Sequence, residues 1–160
     1  MSLKTKSSIL RKLNFGFVGK YMVAGMGEPW VRYLDETHAL LKSLSIRAIV
    51  ILTEDNLYGA HHLRAGFETL HEPIDDCHPP SLEGMVRVST FIDTALSNNV
   101  GVVVHCLEGR GRTGVILGGW LGKREQLSAV ETIRRIRQLR PVTALTRDQK
   151  SFLHKYLEPA

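Results

Sequence analysis

Cysteine is scarce. Cys77 and Cys106 are the two in 160 residues, too few for the disulfide framework of a small secreted fold. A reducing, cytoplasmic compartment is therefore expected, where a lone thiol is free to be catalytic. Only 6 prolines stand against 14 glycines, and no low-complexity tract or repeat-length internal period is present, which excludes fibrous, disordered and solenoid chains. Long apolar runs are missing too. The stretch from Val100 to Val104 falls far short of the roughly 20 residues of a membrane span, and no hydrophobic signal segment opens the chain. Neither membrane insertion nor secretion is expected. Aromatics make up 7% of residues, too few for the stacking platforms of a nucleic-acid binder, and Trp30 and Trp120 read as core.

What remains is an ordinary globular composition, 43% hydrophobic and 23% charged, of a length that suits one domain over residues 1–160. Residues 1–8 are expected to be disordered or a cloning remnant. Lysine and arginine (21) outnumber aspartate and glutamate (16), and the formal charge of +5 favours an anionic partner, with phosphate the natural choice.

Helical and strand periods alternate along the chain. Leu34, Leu40, Leu41 and Leu44 have helical spacing over Tyr33 to Ser43, and the β-branched run Ile46, Ile49, Val50, Ile51 follows as a buried strand. A helix fits Ser81 to Ser97, capped by Ser81, with Met85, Val88, Ile92 and Leu96 inward. Val100 to His105 is apolar on both faces, as in the central strand of a covered parallel sheet. Further helices are expected from Arg112 to about Lys123, from Leu127 to Leu139 with a Ser128/Glu131 capping box and Val130, Ile133 and Ile136 inward, and from Thr146 with Gln149 at box spacing. The last carries Phe152, Leu153, Tyr156 and Leu157. The expected fold is α/β, a central, mostly parallel sheet flanked by helices on both faces. Ligands of such sheets bind beyond the carboxyl ends of the strands, where the segment after His105 must lie.

That segment, Cys106, Leu107, Glu108, Gly109, Arg110, Gly111, Arg112, Thr113, Gly114, runs from a buried strand into a helix. Gly109 and Gly111 let the backbone curl with its N–H groups inward, the helix adds the positive end of its dipole, and Arg112 can grip two phosphoryl oxygens with its planar fork. The same field favours the reactive thiolate of Cys106, and the Thr113 hydroxyl can ease departure of the sulfur from a phosphocysteine. A Walker loop is excluded, because no Gly-Lys-Ser/Thr opens the helix. A proton donor must come from elsewhere, and the proline-braced stretch Pro73-Ile74-Asp75-Asp76-Cys77-His78-Pro79-Pro80-Ser81 offers two acids, Asp75 and Asp76.

His-Cys-x-x-Gly-x-x-Arg-Thr-Gly resembles the signature of the cysteine-dependent protein tyrosine phosphatase superfamily. Asn14 to Pro29, the Pro73 to Ser81 loop and Leu139-Arg140-Pro141 through Gln149 resemble its small atypical dual-specificity, VHZ-like branch. The resemblance implies a dual-specificity phosphatase fold and a two-step phosphomonoester hydrolysis without metal or other cofactor. Cys106 would be the nucleophile, residues 107–112 the phosphate cradle, and the aspartate four residues before Pro80, Asp76, the general acid. It also implies that His105 orients the cysteine and that Gln149 stands near the pocket, although a cap at Thr146 explains Gln149 equally. The implied partner is a phosphorylated protein carrying phosphotyrosine, with phosphoserine or phosphothreonine also admitted, and a monomer is expected.

Leu107 and Glu108 depart from the small or basic residues that often follow the cysteine. Glu108 is expected to point outward toward Arg110, and Leu107 leaves Arg110 as the single basic residue where phosphoinositide-cleaving relatives carry two. Nucleotide, inositol or RNA 5′ phosphates stay open as substrates, as do a phosphate-binding module without turnover and a sulfur-transfer or redox enzyme. His61, His62, His71 and His78 with Cys77 have no familiar metal-ligand spacing. Arg134 and Arg135 read as a solvated face, and Cys77 beside the acid suggests a reversible disulfide with Cys106.

Overall fold

In the computed structural model, which describes residues 3–159, stretches with apolar residues every three or four positions coil as helices and β-branched runs pair as strands. The order is α1 (Leu3–Lys12), β1 (Gly16–Phe17), β2 (Val23–Gly27), a 3-10 turn (Val31–Tyr33), α2 (Leu34–Ser43), β3 (Ile46–Ile51), α3 (Gly59–Arg64), β4 (Glu68–His71), α4 (Leu82–Ser97), β5 (Gly101–Cys106), α5 (Arg112–Glu125), α6 (Ala129–Leu139) and α7 (Arg147–Leu157). The five strands form one sheet in the order β1-β2-β5-β3-β4, parallel except for the β1/β2 hairpin. The fold is α/β, with a mixed, mostly parallel sheet between helical layers.

β5 lies in the middle of that sheet, and each of its residues is buried. Alternation along the strand sends Val102, Val104 and Cys106 to one side, among Met85, Ile92, Leu117 and Leu153 of α4, α5 and α7. Val103 faces the other side, with Leu40 and Leu41 of α2 and Ile9 of α1. The catalytic candidates therefore leave the sheet at its most enclosed strand. Among the described residues no helix is long and apolar enough to cross a membrane.

Several expectations need correction. Residues 3–8 lie in the first turns of α1, and residues 1 and 2 lie outside the described residues. Trp30 is 41% exposed and is no core residue, whereas Trp120 is buried with its indole N–H on Asp93. In α6 Ile136 and the half-buried Ile133 pack inward as expected, joined by Ala129 and Thr132, but Val130 is 65% exposed.

Candidate active site

The loop from Cys106 to Arg112 is held by what surrounds it. Glu28 N–H donates to the Leu107 carbonyl (2.9 Å), Asn14 Nδ2 to that of Glu108 (2.9 Å), and Arg140 to that of Gly109 (3.0 Å). With three successive carbonyls bound from outside, amides are left for the inner side, and Gly109 N–H points back at Cys106 Sγ (3.2 Å). Gly109 needs its lack of a side chain twice over: φ is +75°, and a Cβ would collide with the Met26–Gly27 backbone. Arg140 is 2% exposed, spans the Asn14 and Gly109 carbonyls with one nitrogen, and is pulled down to about 10 by burial.

Arg112, at the first position of α5, is 3% exposed. Its NH1 donates to Glu54 Oε2 (2.7 Å) and to the Ile74 carbonyl (3.0 Å), and its NH2 lies 3.3 Å from Asp76 Oδ1. Burial works against its charge, but the bond to Glu54 and the neighbouring anionic groups outweigh it and keep the guanidinium above its ordinary range. Glu54 reaches further: Oε1 accepts from the Asp76 N–H at 2.9 Å. Its own backbone amide and Arg112 hold its carboxyl below the usual carboxylate value.

A cavity of about 240 Å³ opens over Cys106. Leu107, Glu108, Arg110, Gly111 and Arg112 line it together with Asp76, Cys77 and Gln149, while Gly109 is buried behind. Asp76 lines this cavity and Asp75 does not; the Asp75 carbonyl instead closes a turn with His78 N–H (3.0 Å). Gln149 both caps α7 and stands at the cavity. Its Oε1 accepts from Thr146 N–H (3.0 Å) as the capping box of α7, and its Nε2 donates to the His78 carbonyl (3.1 Å) at the cavity wall. Both cysteines are free, Cys77 exposed and Cys106 buried.

His105 is buried beside the Cys106 carbonyl (Nδ1 to O, 3.3 Å), a contact that needs the proton on Nδ1. Burial, aided by the charge of Arg112, brings it down to about 4, so the ring is neutral at pH 7. Thr113 is fully buried, and among the described residues its hydroxyl has no hydrogen-bond partner, the expected Cys106 sulfur included. Glu108 is exposed as expected, but Arg110 turns away from it to donate to the Val142 carbonyl (3.1 Å).

Sequence reasoning missed Glu54 and the buried charge of Arg140. Glu54 carried a usable signal, since it lies just beyond β3, beside β5, at the sheet edge where ligands bind.

The chain is 38% identical over 92 residues to an uncharacterized protein of Methanocaldococcus jannaschii, covering 56% of this chain and 60% of that protein. It is 31% identical over 110 residues to the tyrosine-protein phosphatase cdc-14 of Caenorhabditis elegans, covering 69% of this chain and 15% of that one. It thus spans less than two thirds of the length of these curated relatives. Among solved structures, Tk-PTP in the active form superimposes with a TM-score of 0.82 at 29% identity, over 92% of this chain and 98% of that chain. The model of the family described as Tc-R-P, polymorphic toxin system, DSP-PTPase phosphatase, matches residues 24–126, from β2 through α5, and the chain belongs to that family.

Proposed function

We propose that the protein hydrolyses phosphomonoesters through a phosphocysteine, acting as a monomer on phosphotyrosyl proteins with phosphoserine and phosphothreonine also admitted. The observation that carries this reading is the convergence of three side chains from two segments far apart in the chain, Cys106 and Arg112 of one loop and Asp76 of another, on one cavity. Cys106 Sγ attacks phosphorus while Arg112 and the loop amides hold the equatorial oxygens. The P–O bond to the leaving group breaks, and the Asp76 carboxyl gives that oxygen its proton. Water then attacks phosphorus, the P–S bond breaks, and the Asp76 carboxylate takes the water's proton. The Asp76 carboxylate rests 3.3 Å from Arg112, so a phosphate dianion competes with it for the guanidinium and frees it as it binds. An acid at the cavity wall supports turnover over a module that merely binds phosphate. Leu107, where phosphoinositide-cleaving relatives carry a basic residue, supports a protein substrate. Within the family, the Asn14–Pro29 and Leu139–Gln149 segments support the small atypical, VHZ-like branch.

A panel of phosphotyrosyl, phosphoseryl, phosphoinositide and nucleotide substrates, assayed with chelator present, tests the reading. Cys106→Ser is expected to abolish hydrolysis, and Asp76→Ala to slow it by about 10²- to 10⁴-fold for poor leaving groups. Hydrolysis retained by the serine variant would overturn the covalent route.

A further inference from the structure

Beside the catalytic cavity lies a second one of about 360 Å³, and the two share a wall made of Leu107, Glu108 and Arg110. Its far side is built by Lys12 at the end of α1, Glu28 after β2, and Trp30. The two sides are tied together: Gly27 pairs in register with Cys106, and Glu28 N–H donates to the Leu107 carbonyl. Trp30 is held as a platform. Its carbonyl closes the turn to Tyr33 N–H (2.9 Å), and the Arg32 guanidinium lies 5.7 Å from its ring. Two large apolar side chains, Trp30 (41% exposed) and Leu107 (57%), are left in water along one polar groove beside the site. Exposed apolar groups ringed by polar ones mark a surface that a ligand covers.

Charge decides which ligand. Lys12 and Arg110 are balanced by Glu28 and Glu108, so the groove has no surplus of cations for a second phosphate, which a multiply phosphorylated lipid headgroup would bring. Mixed donors and acceptors match a polypeptide, whose backbone presents N–H and C=O in alternation. We propose that this second cavity is the docking subsite for the peptide segment flanking the phosphorylated residue, with an apolar side chain of that segment seated between Trp30 and Leu107. The inference rests on the protein-phosphatase reading and sharpens its substrate class.

The test compares kcat/KM for para-nitrophenyl phosphate, for a phosphotyrosyl peptide with leucine or phenylalanine on either side, for the same peptide with flanking glycines, and for phosphoinositide vesicles. The wild type is expected to prefer the apolar-flanked peptide about tenfold, the size of one well-buried side-chain contact. Trp30→Ala is expected to erase that preference while leaving the aryl phosphate rate unchanged, and Trp30→Phe to keep most of it. A preference that survives Trp30→Ala, or none in a wild type that hydrolyses the aryl phosphate, overturns the subsite. So does a Trp30→Ala loss confined to the vesicles. No aryl phosphate hydrolysis by the wild type overturns the phosphatase reading itself, and the subsite with it.

Discussion

At the scale of single side chains, the cavity over Cys106 is set by charges that stand outside it. Glu54 holds Arg112 with one oxygen and the Asp76 backbone with the other, so one carboxylate fixes both the proposed phosphate clamp and the proposed acid. Removing its charge while keeping its shape leaves Arg112 with the Ile74 carbonyl and the Asp76 carboxylate. Glu54→Gln is expected to lower kcat/KM by about 5- to 10-fold, the range of a charge-assisted hydrogen bond discounted for an exposed partner. Steady-state kinetics on a phosphotyrosyl peptide check this, and unchanged kcat and KM would show that Arg112 needs no such brace. Cys106 and Arg112 were legible in the sequence because one loop must carry both at a fixed spacing. Arg140 was not, because its partners lie far along the chain and a lone charged residue reads as surface; Glu54 showed its place at the ligand end of the sheet but not its partners, which lie 22 and 58 residues on.

Among the elements, α7 does more than close the fold. Its N-cap Thr146 accepts from Gln149 N–H (3.2 Å) and donates its hydroxyl to the Cys77 carbonyl (3.0 Å), while Gln149 donates to the next carbonyl, that of His78. A helix N-terminus thus pins the loop that carries Asp76. Thr146→Ala is expected to cost about 1 kcal/mol of stability through the lost cap. It is also expected to slow alkyl phosphates more than aryl phosphates, because the former depend on a well-placed acid. Denaturant titration and a comparison of the two leaving-group classes measure the two effects, and equal slowing of both classes would argue against any influence on the acid. The capping boxes of α6 and α7 could be read directly, since capping is local chemistry. β2 could not. Its sequence, Val-Ala-Gly-Met-Gly, lacks strand propensity because neighbours dictate its glycines: a Cβ at Gly25 would lie 2.7 Å from both Arg140 and Thr113. The inward face of α6 was misread for a related reason. α5 comes so close that a Cβ at Gly122 would lie 2.5 Å from Thr132 Oγ1, so small residues take the interface and Val130 is turned out.

Across the whole molecule, three histidines from separate elements meet in the buried layer behind the site: His38 of α2, His62 of α3 and His105 of β5. His38 Nε2 lies 2.8 Å from His62 Nδ1, and the rings of His62 and His105 are 6.2 Å apart. Periodicity announced the elements but not this meeting, which depends on how α2 and α3 pack on the sheet. Burial, reinforced by the neighbouring imidazoles, brings His62 to about 3, while burial brings His105 to about 4. Both values lie below the ordinary 6.5 of an unfolded chain, so at mildly acid pH the unfolded state takes up protons that the folded state refuses. Stability is then fully present above about pH 7, falls as pH drops through 6.5, and keeps falling until the folded-state values are passed. By pH 5.5 each of the two histidines is expected to remove about 1 kcal/mol, before exposed carboxylates begin to titrate, and His105 alone accounts for about 3 kcal/mol by pH 4. Unfolding free energies from denaturant titrations between pH 7.5 and pH 5.5 are expected to show this slope, and His62→Gln to flatten it. A free energy constant over that interval would mean that the buried rings accept protons in place.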